Sequence, residues 1–335
     1  MNVLPLILRE LLSTPSGTSR PVLATLVAVA GSSYRRPGAR LLVTATGQRL
    51  GSISGGCLEE DVIVRARHVA ATGDAELITY DTSSENDLVW GVGLGCHGVV
   101  QVLLEPVSGQ APWVSALAAN LAARRPIPLA VVWRATAGAV SLGTRLLSDL
   151  GLTSSDSSVF QEVIAPPPRL LIFGAGDDAQ PLAQLAQPLG WPVTIADPRA
   201  AFATAARFPT ADRILVAPAD ELVARVTPEP GSCAVVMTHH YIHDLPLLRD
   251  LLPLDLAYLG LLGPKSRAER ILAGLTCDGL VITPTQRSRL HAPVGLDLGA
   301  ETPAEVALSI LAEIRAPLAG RDARPLRERT RPIHG

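Results

Sequence analysis

No two of the four cysteines, Cys57, Cys96, Cys233 and Cys277, stand in Cys-x-x-Cys spacing. That excludes the common zinc and dithiol redox motifs. So few thiols, scattered through 335 residues, suit a reducing cytoplasm, the expected location. No apolar run is long and charge-free enough to span a bilayer. No charge of one sign dominates either: the formal net charge is −2, so wholesale nucleic-acid binding is not expected. With 47% apolar and 18% charged residues, the chain can build cores, and disorder is expected only in the basic tail over residues 319–335. The opening "MNVLPLILRELL" has an apolar run but no basic segment before it and no small-residue cleavage site. It reads as an amphipathic helix rather than a signal peptide. There is no internal repeat.

What is present falls into two styles. Residues 1–165 mix apolar strands such as "PVLATLVAVAGSSY", a hairpin turning at Thr46-Gly47-Gln48, and a helix in "GGCLEEDVIVRARHVAAT". That helix carries acids early and bases late, as its dipole favours. The polar run "TSSDSS" and the stiff "APPPR" mark the approach to a boundary. Over residues 169–318 strands and helices alternate, from "RLLIFGAG" through "WPVTIADPR" and "SCAVVMTHH" to "LAYLGLLG". This is the βαβ pattern of a parallel, doubly wound sheet. "ETPAEVALSILAEIRA" carries a complete helix start: Thr302 as N-cap, Pro303 in the first position, Glu305 closing a capping box.

The second half opens on Gly174-Ala175-Gly176-Asp177-Asp178-Ala179, between a strand and a helix. This is a G-x-G-x-x-A form of the dinucleotide fingerprint, and Asp197 stands where a ribose-binding acid would. Yet Asp177 and Asp178 bring negative charge to the place a pyrophosphate needs. A Rossmann shape with NAD and one without it both remain open, with NAD not favoured. "MTHHYIHD" puts His239 and His243 four residues apart after a strand. They would share a metal if helical, but no metal motif is matched, and a loop shaping a cleft is the favoured reading. In "GLLGPKSR", Lys265, Ser266 and Arg267 fit either a phosphate site or a solvated helix start.

The first half holds three glycine loops. "GSSYRRPGARLLV" gathers Arg35, Arg36 and Arg40, and arginine forks bind phosphate bidentately. "SISGGCLEE" sets Cys57 after Gly55 and Gly56 at a helix start, where a thiolate is favoured, or else Cys57 is a small buried residue. "VWGVGLGCHGVV" has four glycines between Gly91 and Gly98, with Cys96 and His97 among them. Such a costly run needs a reason. Gly95 and Gly98 would let a bulky ligand reach the backbone beside a soft thiol. Residue chemistry thus points to an anionic ligand containing sulfur or metal.

Together these motifs, with "VVMTHHYIHDLPLL" and "RLHAPVGLDLGAETPAEVALSILAEI", resemble the XdhC/CoxI family. Its members are accessory factors for molybdenum hydroxylases such as xanthine dehydrogenase and carbon monoxide dehydrogenase. The resemblance covers nearly the whole chain. It implies an α/β protein, with an N-terminal XdhC/CoxI-type domain and a C-terminal Rossmann-like domain. It also implies a chaperone more than an enzyme. Such a protein carries the molybdenum cofactor, as molybdopterin or its cytosine dinucleotide form, and assists its sulfuration and insertion. The implied partners are a molybdenum hydroxylase apoenzyme, a cysteine desulfurase, a cofactor-nucleotidylating enzyme and a second copy of the chain. Cys96 matches the family's glycine-flanked cysteine, and Arg35, Arg36 and Arg40 its arginine-glycine loop. With Gly55, Gly56, Cys57, Gly95, His97, Gly98, Gly174, Gly176, Asp177, Asp197, His239 and Lys265 they make up the expected cofactor-binding set. Two departures stand out. Many members have Cys-Cys-Gly-Gly where this chain reads Gly95-Cys96-His97-Gly98, and many have histidine where Asp177 stands. The rival readings are an NAD(P)-dependent oxidoreductase and a thiol redox protein using Cys57 and Cys96.

Overall fold

The computed structural model describes residues 3–14, 20–81, 98–135, 141–150 and 158–330. The chain divides into two compact units that meet in sequence at Pro166 and Pro167, inside the proline run.

In the first unit, helix α1 (Leu4–Ser13) precedes strands β1 (Val22–Gly31), β2 (Arg40–Val43) and β3 (Arg49–Gly51). Then come α2 (Glu59–Thr72), β4 (Glu76–Asp81), β5 (Gly98–Pro106), α3 (Pro112–Ala122), β6 (Ile127–Arg134), β7 (Gly143–Leu146) and β8 (Ser158–Ile164). Five strands form an antiparallel sheet in the order β3-β2-β1-β5-β4. Strand alternation gives this sheet two apolar faces. Ala24, Leu26, Leu41, Val102 and Leu104 pack with Val62, Ala66 and Val69 of α2. Leu23 and Leu42, pointing the other way, pack with Ile7, Leu11, Val114, Leu117 and Leu129 of α1, α3 and β6. The second sheet, β7-β6-β8, also lies on that side. Two acids serve polar groups there: buried Glu105 accepts from the Thr144 N–H at 2.8 Å and from its hydroxyl, and half-buried Glu162 pairs with buried Arg40.

The second unit runs β9 (Leu170–Phe173), α4 (Ala179–Ala186), β10 (Val193–Asp197), β11 (Arg213–Val216), α5 (Ala219–Val226), β12 (Cys233–Val236) and α6 (Tyr241–Leu251). It continues through β13 (Tyr258–Leu261), α7 (Lys265–Cys277), α8 (Pro284–Arg289), β14 (Leu290–His291) and α9 (Pro303–Leu318). All six strands are parallel, in the order β11-β10-β9-β12-β13-β14. This is the 3-2-1-4-5-6 order of a doubly wound dinucleotide-binding sheet. Leu170 and Ile172 face a core shared with Leu182, Ile310 and Ile314 of α4 and α9. Leu171 and Phe173 face Leu222, Leu247, Leu251 and Ile271 of α5, α6 and α7. Such near-continuous apolar strands are what a sheet covered on both faces requires. Thr302 caps α9 and Glu305 closes the capping box. Thr283 and Gln286 cap α8 in the same way. No helix among the described residues is long and apolar enough to cross a membrane.

Candidate functional site

The first unit brings Gly31, the arginine loop, the Gly55-Gly56 turn and Gly98 to one end of the five-stranded sheet. Strand β1 ends at Gly31, which pairs with Gly98 at the start of β5. A Cβ on Gly98 would lie 2.3 Å from the Ser32 carbonyl oxygen and 2.8 Å from that of Ala30. Only glycine lets the two backbones approach so closely. Two residues past Ser32, the Tyr34 ring covers Gly55, 3.7 Å from where a Cβ would stand. The Arg35 guanidinium lies over the Tyr34 ring, 5.3 Å from its centroid. The arginine loop therefore touches the Gly55-Gly56 turn and, through Ser32, the Gly98 start of β5. Arg35, Arg36, Gly55, Gly56 and Cys57 are all exposed. A Cβ on Gly56 would meet nothing within 4 Å, and its φ of +118° keeps the peptide in glycine's territory. The result is an open, glycine-floored surface rimmed by two arginines and a thiol. Gly95, Cys96 and His97 lie outside the described residues.

Two sequence expectations change here. Arg40 does not join Arg35 and Arg36. It opens β2 and shares a face with Leu42, so alternation turns it inward. There, at 4% exposure, it pairs with Glu162 and donates to the Gly38 carbonyl at 3.1 Å. Cys57, for its part, is exposed, which removes its reading as a core residue. Sequence reasoning also missed Tyr34, whose signal was an aromatic ring next to the arginine pair. It read Glu59 only as a dipole charge, whereas its carboxylate is buried at 2% exposure.

In the second unit, β9 and β12 lie side by side where the strand order reverses, the usual ligand crevice of such sheets. Gly174 follows β9 and Met237 follows β12. A Cβ on Gly174 would stand 2.5 Å from the Met237 carbonyl oxygen, and its φ is +124°. Gly176 is less constrained: a Cβ there would be 4.0 Å from the His239 ring.

Asp197, at the end of β10, does not offer a carboxylate to a ribose. It is fully buried. Its Oδ2 accepts the Ala175 N–H at 2.6 Å and an Arg199 guanidinium N–H at 2.9 Å; its Oδ1 accepts the Arg199 backbone N–H at 2.7 Å and Nε–H at 3.0 Å. Burial pushes its pKa up, but the bonds from Arg199 and Ala175 outweigh that and hold it below the usual carboxylate range. The acid fastens the glycine loop because both oxygens are already engaged.

Asp177 and Asp178 likewise do not stand without partners. Asp177 pairs with Arg207 at 2.9 Å, and Asp178 with His239 at 3.1 Å. Arg207 also donates to the Ala175 carbonyl at 3.2 Å. His239 sits at φ 60°, ahead of α6, so His239 and His243 do not share one helix face. Among the described residues no group of three or more His, Cys, Asp or Glu side chains is placed to hold a metal ion. Asp244 is buried, accepts the Thr238 hydroxyl at 2.5 Å and pairs with Arg267. Burial pushes its pKa up despite those partners. Arg267 is thus engaged, while Lys265, the single lysine of the chain, begins α7 exposed.

The chain is similar to known proteins over both units. A family model described as the XdhC Rossmann domain matches residues 170–314, and one described as the XdhC and CoxI family matches residues 18–81. The chain is 36% identical over 314 residues to a Bacillus subtilis protein described as a probable xanthine dehydrogenase subunit, covering 88% of this chain and 92% of that protein. It is 26% identical over 293 residues to the "Molybdenum cofactor insertion chaperone PaoD" of Escherichia coli, covering 88% and 82% of the two chains. Among solved structures, a protein from Bacillus halodurans described as a xanthine dehydrogenase superposes with a TM-score of 0.81 at 30% identity, over 97% of this chain and 98% of the other.

Proposed function

The chain belongs to the XdhC and CoxI family, and we propose that it is a molybdenum cofactor chaperone. In this reading it binds the newly made cofactor, protects it, and assists its sulfuration and insertion into a molybdenum hydroxylase of the xanthine dehydrogenase type. The name of the PaoD relative supports the cofactor and its insertion. The name of the Bacillus subtilis relative supports the class of target enzyme.

The observation that carries the reading is the convergence of Arg35, Arg36, Gly55, Gly56, Cys57 and Gly98 at one end of the first unit's sheet. The cargo is a molybdopterin dithiolene with an anionic phosphate tail, or its cytosine dinucleotide form. Two exposed guanidinium groups suit the phosphate. Open glycine backbone suits a flat, bulky ring system. A thiol suits the molybdenum and dithiolene end, and exposed Cys57 supplies one; the family resemblance implies Cys96 as a second. The donor set therefore fits the group. Cysteine desulfurase, the nucleotidylating enzyme, a homodimeric state and a cytoplasmic location belong to the same proposal.

Anaerobic purification tests it. After oxidation a bound pterin fluoresces, and the loaded protein is expected to activate a cofactor-free molybdenum hydroxylase. Protein that carries no pterin when made in cells able to make the cofactor, and that gives no activation, would overturn the reading.

A second reading draws on the strand order and on Gly174, Gly176 and Ala179, which favour a dinucleotide in the second unit. The saturated Asp197 removes the ribose contact that reading needs, so NAD is not the favoured ligand.

A further inference from the structure

One acid of the first unit makes none of the proposed cofactor contacts, yet it holds the middle of the site. Glu59 is the first residue of α2. Its Oε1 accepts the Ser52 hydroxyl at 3.0 Å, the Ile53 N–H at 3.1 Å and the Ser54 N–H at 2.9 Å, and its Oε2 accepts the Ser54 hydroxyl. The Ser54 oxygen then accepts the Gly56 N–H at 3.0 Å and the Leu58 N–H at 3.2 Å. One carboxylate therefore fixes both sides of the Gly55-Gly56-Cys57 turn, directly before it and, through Ser54, within and after it.

Burial alone would favour the neutral acid. The bonds from Ser54 and Ser52 outweigh it, and the carboxyl is held below its usual range. The group is thus an anion at neutral pH, and its charge faces inward to donors rather than outward to a ligand. A helix-dipole role does not require this. An acid in a first turn acts from the surface, as exposed Glu60 can.

We infer that Glu59 is a positioning residue: through Ser54 it sets the backbone of Gly55, Gly56 and Cys57 in the conformation that receives the ligand's anionic, sulfur-bearing end. The inference rests on the chaperone reading for the identity of that ligand, but not for the coupling of Glu59 to the loop. Glutamine at 59 keeps the shape, yet it offers one acceptor oxygen and turns an NH2 toward donors that now have no partner.

The experiment compares Glu59→Gln, Ser54→Ala and the double variant of the two with Arg35→Ala/Arg36→Ala. Hydrogen exchange of residues 52–58 reads the loop, exchange over β1 and β5 reads the fold of the first unit, alkylation of buried Cys233 in β12 reads that of the second, and fluorescence of the oxidised pterin reads copurified molybdenum cofactor. Glu59→Gln is expected to speed exchange over 52–58 at least tenfold while exchange over β1 and β5 and Cys233 alkylation stay at wild-type levels. It should lower cofactor retention roughly tenfold. Ser54→Ala should act in the same direction, and the double variant should be little worse than either single one, since both act through one loop. Unchanged exchange over 52–58 would overturn the inference. So would a loosened loop with full retention while the arginine variant loses cofactor. Full retention in the arginine variant too would instead remove the chaperone site itself. If Glu59→Gln unfolds, Ser54→Ala, which keeps the carboxylate and removes only the relay, carries the same expectations.

Discussion

Asp197 accepts the Ala175 backbone N–H at 2.6 Å, and so ties the end of β10 to the glycine turn after β9. The pairing links two adjacent strands at the mouth of the crevice. It uses the acid that a dinucleotide fold would reserve for a ribose. Asp197→Asn is therefore expected to destabilise the second unit by roughly 2–4 kcal/mol at neutral pH, from lost charge-assisted bonds and a buried donor left short. Urea unfolding followed at Trp191 measures it; a loss below about 0.5 kcal/mol would refute the fastening role.

The same acid sets a pH dependence. Its folded pKa lies below the unfolded value of about 3.9. Its contribution to stability is thus fully present above that value and is lost as pH falls through the folded pKa. Wild type should lose stability on acidification below about pH 4 more steeply than Asp197→Asn. Parallel curves for the two proteins between pH 5 and pH 2 would contradict this.

Arg35 and Arg40, five residues apart, should fail in different ways. Arg35→Ala or Arg36→Ala should leave folding intact and weaken cofactor retention roughly tenfold, with the difference shrinking at high salt. Arg40→Ala leaves Glu162 without its partner inside the unit and should cost about 3–5 kcal/mol of stability. Thermal unfolding beside pterin fluorescence separates the two. A stable Arg40→Ala protein with poor retention would return that residue to the ligand.

Cys96→Ser should strongly lower cofactor retention, because the family resemblance implies that this thiol contacts the ligand. Cofactor loading equal to wild type would disqualify it.

The second unit should bind neither NAD nor NADP tightly. With Asp177 and Asp178 already matched to Arg207 and His239, the expectation rests less on repulsion than on the occupied Asp197. Calorimetry with and without magnesium decides. Micromolar binding without the metal would restore the oxidoreductase reading, and binding only with magnesium would point to a phosphate ligand bridged to Asp177 and Asp178.

Sequence alone determined the pattern of this protein. The apolar run Leu170–Phe173 read as a strand, the Thr302–Glu305 box as a helix start, and the proline run at 166–168 as the approach to a boundary between two styles of chain. These features are local, because periodicity, capping and turn chemistry act within a few residues. The three glycine loops were legible one by one for the same reason. That the arginine loop meets Gly55 and Gly98 was not, since it depends on the antiparallel pairing that sets Gly31 opposite Gly98 and on Tyr34 lying over Gly55. The fate of each charge was also a tertiary decision. Arg36 and Arg40 look alike in sequence, but strand alternation and a partner 122 residues away, Glu162, bury one of them. Glu59 and Glu60 are adjacent acids of one helix turn, yet only the backbone of residues 52–54 folding under Glu59 makes it a fastener. Asp197 has the sequence position of a ligand residue, but Arg199 and Ala175 fill its oxygens. A charged side chain takes its role from whichever partners the fold brings within hydrogen-bonding distance, and those partners are set by tertiary contact rather than by spacing along the chain.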